Sequence, residues 1–208
     1  MNIENFKVEV NRALTSSLDR YTGQLIEIDP QLVPVADSIR DFLSEGKRFR
    51  PIFALLGFVS ANGQLSDEIY SAAAALEFLQ ACALIHDDLM DGSDTRRGAP
   101  SIHRLFESLH RKEGRAGSAE NFGASAAILI GDLALVWSAK MLHESGISVD
   151  QLVDSLPLYD ELRVELMAGQ FLDVAEQTMH TSSLDRSLKI ASRSEEHTSE
   201  LQSRETIS

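Results

Sequence analysis

Asp87, Asp88 and Asp91 stand at the end of an apolar run, in "ALIHDDLMDGSDTRRGAP" (83–100), and Arg96 and Arg97 follow directly after. On a helix, residues four apart share a face, so Asp87 and Asp91 point the same way. Asp88 is turned by roughly 100° and reaches the edge of that face. Carboxylates repel at this spacing, and a helix C-terminus already carries the negative end of the dipole. A compensating cation is therefore expected. Hard, all-oxygen ligands suit Mg²⁺ rather than Zn²⁺. His86 adjoins the acids, but a single imidazole reads as a structural or supporting group. Upstream, "GKRFRP" (46–51) places Lys47, Arg48 and Arg50 just before a helix start. Arginine forks match phosphate oxygens, and lysine adds a point charge. Each piece alone has a plainer explanation: a frayed acidic helix end, or a solvated basic turn. Together they fit a ligand that carries a diphosphate and is bridged by Mg²⁺.

The elements that must hold these residues read as helices, with no convincing alternating strands. Residues 2–22 form an amphipathic helix ending near Gly23. Pro34 lies near the start of a helix through Leu43 that Gly46 terminates. Pro51 suits the first turn of "PIFALLGFVSA", which stops at "NGQ". Ser66, Glu68 and the apolar run behind them open a long helix to about Met90. "DGSDTRRGAP" is a loop, "SIHRLFESLHR" a short helix and "EGRAG" a break. Residues 118–144 are apolar along their middle and predict a central helix buried on most sides. A last long helix runs from Ser148 to about Met179, with Pro157 able to offset its start. The pattern is all-α, a bundle of long helices in a single domain.

Composition narrows the function. At 208 residues and 43% hydrophobic, the chain can bury a substantial core. Its net charge of -13 gives no support for nucleic-acid binding. Cys82 is the only cysteine, so no internal disulfide forms, which suits a reducing compartment. "MNIENFKVEV" is polar and acidic, so no secretory signal is expected. Charged or polar residues interrupt the apolar runs, so no transmembrane segment is expected and a cytoplasmic location is.

Taken together, "GKRFRP" (46–51), "HDDLMD" (86–91), "RRG" (96–98), "GD" (131–132) and "GQFLD" (169–173) resemble the trans-isoprenyl diphosphate synthases, the polyprenyl synthetase family. The resemblance runs from the N-terminus to about residue 192. It implies the isoprenoid synthase fold, with long antiparallel helices around a central apolar cavity, and a homodimer in the full-length protein. It also implies a reaction. An allylic diphosphate ionises at its C–O bond, isopentenyl diphosphate attacks the cation, and loss of a proton gives an all-trans product five carbons longer. By motif position, Asp87 and Asp91 hold Mg²⁺ with Asp88 in support, and Arg96 contacts the allylic diphosphate. Gly46, Lys47, Arg50 and Arg97 bind isopentenyl diphosphate. Gln80 stands where the family often has a histidine on that diphosphate. Gln170 and Asp173, i and i+3 on a helix, face the cavity, or else form a polar stripe on a packed helix.

Two other functions share some of these features. A class I terpene cyclase has the helical fold and an aspartate-rich motif, but no isopentenyl diphosphate for "GKRFRP" and "RRG" to hold. A non-catalytic subunit of a heteromeric prenyl synthase usually lacks an intact first aspartate motif, and "DDLMD" is intact.

Family members continue with a basic residue after the "SLKIA" helix and a second aspartate-rich motif. The resemblance therefore implies that residues 1–192 are the N-terminal portion of the domain, incomplete at the C-terminus. Residues 193–208 begin "RSEEHTSELQS", which looks like the in-frame translation of a widely used sequencing-library adapter. They are expected not to be native, as their codons would show. Without the C-terminal helices, the helices 66–90 and 118–144 would each leave an apolar side uncovered, and the chain is expected to be inactive or nearly so.

In the family the growing tail runs back along the helix from the aspartates. Ala83 and Cys82, four and five residues before Asp87, are small, and Phe78 is the first large aromatic beyond them. At about 5.4 Å, or one helical turn, per isoprene unit, this implies a product of roughly C20 or longer. In an enzyme carrying this segment, Cys82→Phe is expected to shorten the product. Chromatography of the products tests this, and an unchanged length removes the argument.

Overall fold

The structure, a computed structural model, describes residues 3–177. Among these it contains seven α-helices, one 3-10 turn and one small hairpin. The chain divides into two compact units, Met1–Leu152 and Val153–Ser208. The expected helix end near Met179 and the tail at 193–208 lie outside the described residues.

In the first unit, α1 (Ile3–Ile28) buries Phe6, Val10, Leu14, Leu18 and Tyr21 along one side. It runs straight through Gly23, where the sequence predicts its end. A glycine inside a helix costs only about 1 kcal/mol, which this buried stripe outweighs. The helix stops instead before Asp29, whose side chain accepts from the Gln31 N–H at 2.7 Å as Pro30–Leu32 makes the 3-10 turn. Next come α2 (Val33–Ser44), α3 (Phe49–Ser60) and α4 (Asp67–Met90), with Pro51 in the first turn of α3 as expected. Ser66 caps α4, with Asp67 and Glu68 in its first turn. After the hairpin follow α5 (Ile102–Lys112) and α6 (Ala119–His143), the latter capped by Ser118.

The central helix is α4, not the 118–144 helix that apolarity suggests. No residue of α4 from Ile69 to Leu89 is exposed, and it packs against α6, α1 and α3. On α6 the packed side includes a row of small residues, Gly123, Ala127, Gly131, Ala134 and Ser138, beside Ile130, Trp137, Met141 and Leu142. A Cβ on Gly131 would lie 2.2 Å from His86 Nε2, and one on Gly123 would lie 2.2 Å from the His103 carbonyl oxygen. Ser138 Oγ donates to the Ala75 carbonyl of α4 at 2.7 Å. The opposite side carries Ile128, Leu129 and Val136, with Leu129 68% exposed. Of the two uncovered apolar sides expected, only the one on α6 is present. Hydrophobic content alone could not tell which long helix lies at the centre. The small residues could, because they mark the side where helices approach closely.

By length and composition α4 and α6 are both apolar enough to cross a membrane, contrary to the expectation from the interrupted runs. The isolated polar residues do not lower the average enough. Most of the apolar window of α4 is buried inside the protein, as a core helix would be.

The last helix, α7 (Val149–Gln177), begins with a reciprocal cap. Gln151 N–H donates to Ser148 Oγ at 3.2 Å, and Ser148 N–H to Gln151 Oε1 at 3.0 Å. Pro157 lies inside the helix rather than offsetting its start. The second unit is described over the remainder of α7.

Glycine packing predicts two opposite outcomes. Gly123→Ala drives a methyl into the backbone of α5 and is expected to cost about 1–3 kcal/mol. Gly23→Ala has nothing within 4 Å to meet and is expected to add about 0.5–1 kcal/mol. Thermal melts by circular dichroism check both, and a reversed order would contradict the packing described.

Candidate functional site

The acids lie where α4 stops, and the stop is built by backbone bonds. Gly92 (φ 66°) follows the C-cap Asp91. Gly92 N–H donates to the Leu89 carbonyl at 3.3 Å, and Ser93 N–H to the Asp88 carbonyl at 2.9 Å. These two bonds form a Schellman motif, in which glycine takes the left-handed conformation at low cost.

The segment predicted as loop then makes a hairpin, β1 (Thr95–Arg96) with β2 (Ala99–Pro100), in which Arg96 pairs with Ala99. Arg97 (φ 53°) and Gly98 (φ 81°) both take positive φ, as a two-residue type I′ turn requires. Arginine at the first of these positions is what hid the turn in the sequence. Ser101 Oγ closes the base, donating to the Ser93 carbonyl at 2.7 Å.

This hairpin aims Arg96 back at α4. Arg96 Nε donates to Asp88 Oδ2 and Nη2 to Asp88 Oδ1, both at 2.7 Å. Asp87 Oδ2 lies 3.5 Å from Arg96 Nη2. Asp88 is 2% exposed, so its charge is neutralised inside the protein by this fork. Asp87 is partly exposed and Asp91 exposed. Among the described residues, no group of three or more His, Cys, Asp or Glu side chains is placed to hold a metal ion. The remaining donors, two carboxylates one turn apart, fit Mg²⁺, which binds through one or two carboxylates and takes its other ligands from water and phosphate.

Arg97 reaches in the other direction. Its Nη1 donates to the Glu45 carbonyl at 2.7 Å, which joins the hairpin to the segment that carries Gly46, Lys47 and Arg50. Lys47 is exposed, its Nζ 5.6 Å from the centre of the Phe49 ring, and Arg50 is half-buried. Gln80 is half-buried on α4, with Oε1 enclosed and making no hydrogen bond.

His86 lies against Gly131. Its Nε2 is 3.1 Å from the Ile128 carbonyl and 3.6 Å from Asp132 Oδ1, and its Nδ1 is 3.8 Å from Cys82 Sγ. The sequence motifs at 86–91 and 131–132 thus meet through this imidazole. Cys82 is fully buried, and burial, with Asp132 adding to it, pushes its thiol up to about 11. Ala83 is buried beside it. Phe78 packs against Tyr21 and Trp137, with ring centres at 6.1 and 5.9 Å. Gln170 and Asp173 are half-buried on α7 in the second unit.

Two residues outside the predicted set matter. Asp94, with no role assigned from sequence, accepts from Arg104 Nε at 2.7 Å. Glu77 is buried on α4 and holds Arg48 at 2.7 Å. A lone acid in the apolar run "AAAALEFLQ" is the one signal that could have revealed it.

The model of the polyprenyl synthetase family matches residues 34–200. The chain belongs to the polyprenyl synthetase family. It is 31% identical over 130 residues to a geranylgeranyl pyrophosphate synthase of Geoglobus acetivorans, a match covering 62% of this chain and 35% of that one. It is 32% identical over 146 residues to a farnesyl diphosphate synthase of Geobacillus stearothermophilus, covering 69% and 42%. The solved geranylgeranyl pyrophosphate synthase of Corynebacterium glutamicum, complexed with isoprenyl diphosphate and magnesium, superposes with a TM-score of 0.86 at 38% identity. That match covers 91% of this chain and 55% of that structure. The chain thus spans well under half of these two curated relatives. The all-α isoprenoid synthase fold expected from the motifs is the fold found.

The base of the hairpin also carries a pH-sensitive group. His103 Nδ1 is 3.2 Å from Ser101 Oγ. Burial, and then Arg104, hold its imidazole below the usual value, while Asp88, Glu107 and Asp94 oppose them. The folded protein therefore binds this proton less readily than the unfolded chain, whose histidine titrates near about 6.5. Stability from this group is present above about pH 6.5 and declines as pH falls below it. Melting temperatures between about pH 7 and 5.5 are expected to fall less steeply in His103→Asn than in the parent. Equal slopes would remove His103 from the account.

Proposed function

We propose that the chain carries the diphosphate-binding end of a prenyltransferase that joins isopentenyl diphosphate to an allylic diphosphate. The observation that carries this reading is the convergence of acid and base. The fork from Arg96 to Asp88, beside Asp87, and the bond from Arg97 to Glu45 bring residues 45–50 and 87–97 to one place.

In this reading Asp87 and Asp91 hold Mg²⁺. When bound, Mg²⁺ neutralises the leaving diphosphate and so favours cleavage of the allylic C–O bond. Asp88 fixes the guanidinium of Arg96 where it can also meet that diphosphate. Lys47, Arg50 and Arg97 hold the diphosphate of isopentenyl diphosphate, and Gln80 offers its amide. The C–O pair leaves with pyrophosphate, the alkene of isopentenyl diphosphate supplies the new C–C bond, and one proton is lost. The apolar run of α4 keeps water from the carbocation. The buried Cys82 and Ala83, with Phe78 beyond them, support a product of about C20 or longer. The magnesium of the Corynebacterium structure supports the metal. The exposed Ile128, Leu129 and Val136 of α6 support pairing as a homodimer.

Calorimetry on the purified chain tests this. Allylic diphosphate binding is expected to require Mg²⁺ and to weaken tenfold or more in Asp87→Asn and Asp91→Asn, about 1.4 kcal/mol per decade. Isopentenyl diphosphate binding is expected to weaken in Lys47→Ala instead. Binding indifferent to both the metal and these substitutions would refute the reading.

A further inference from the structure

The basic segment 46–50 contains one arginine that faces inward. Arg48 is 4% exposed, although Lys47 and Phe49 on either side are exposed. Its guanidinium spends four of its five N–H donors inside the protein. Nε donates to Asn11 Oδ1 at 2.8 Å, Nη2 to the Leu43 carbonyl at 2.5 Å, and Nη1 to Glu77 Oε2 at 2.7 Å and the Glu45 carbonyl at 3.3 Å. One side chain thus ties together α1, the end of α2, the loop after it and α4. With four of its five N–H groups spent and the side chain buried, it is not placed to bind a substrate itself.

Two backbone facts show that the segment is shaped around this guanidinium. Arg48 itself has φ 58°, which is costly for a residue with a side chain. A Cβ on Gly46 would lie 2.6 Å from Arg48 Nη1 and 3.6 Å from Glu77 Oε2. Gly46, expected to bind substrate, is therefore required by Arg48. Glu45 takes a second bond from outside, through Arg97 Nη1.

We propose that Arg48 is a positioning residue, a buried strut that sets the backbone of residues 45–48 so that Lys47 and Arg50 are presented to the diphosphate. This rests on the reading of Lys47 and Arg50 as diphosphate ligands. Any side chain at 48 that lacks the fork releases the left-handed turn, and the two ligands lose their fixed spacing.

Isopentenyl diphosphate binding to the purified chain, measured by calorimetry, tests the strut. Arg48→Lys keeps the charge and loses the fork. It is expected to bind about tenfold more weakly, the scale on which groups that orient a ligand-binding residue act. The same change in a Lys47→Ala background is expected to cost far less, because Arg48 acts through Lys47. Glu77→Gln, a milder change, is expected to weaken binding in the same direction while retaining the native circular dichroism. A folded Glu77→Gln or Arg48→Lys that binds like the parent overturns the proposal, as does full additivity with Lys47→Ala. A parent chain that binds no isopentenyl diphosphate, or binds it equally well after Lys47→Ala and Arg50→Ala, overturns the diphosphate reading itself.

Discussion

A carboxylate buried at the C-terminal end of a 24-residue helix is doubly unfavourable, and Asp88 is such a group. It has lost its water, and it faces the negative end of the helix dipole. Two charge-assisted bonds from Arg96 offset both penalties. The fork has to be intact to do so, since a buried charge that loses its partner is strongly destabilising. Its effect spreads along the chain. Holding Arg96 holds β1, β1 sets the turn, and the turn delivers Arg97 to Glu45. The end of α4, the hairpin and the segment after α2 are thereby fixed to one another.

The same solution recurs about three turns earlier on α4. Glu77 is buried in an apolar stretch, and Arg48 meets it from the other loop. Two acids on one core helix thus anchor two loops, each through an arginine that is withdrawn from solvent. The inward arginines hold the frame. The small residues of α6 let this frame close tightly, with His86 seated in the space at Gly131.

Much of this is legible in the sequence. Apolar spacing marked α4 and α6, with Ser66 and Glu68 opening the first and its end placed at about Met90. The motifs at 46–51, 86–91 and 96–98 pointed to the family. The sequence also required a cation beside the acids, because their repulsion can be computed from spacing alone. It did not show that Arg96 supplies part of it, since that depends on a turn in which arginine takes an unusual conformation. Arg48 looked like Lys47 and Arg50 for a similar reason. Three cations within four residues are chemically alike until the backbone turns one inward. Gly23 does not end α1, and the apolarity of α6 does not make it central, because local preference and average apolarity say nothing about what packs against a helix.

The Schellman stop and the type I′ turn have no slack in them. Residues 88 to 101 are counted out by backbone bonds, from the Asp88 carbonyl to Ser93 and from the Asp94 carbonyl to Ser101. One residue more or fewer between Asp91 and Arg96 would flip the alternation of β1, and Arg96 would point away from Asp88. Length is therefore part of the chemistry of this stretch. An insertion or deletion disconnects the acids from the arginines in a single step.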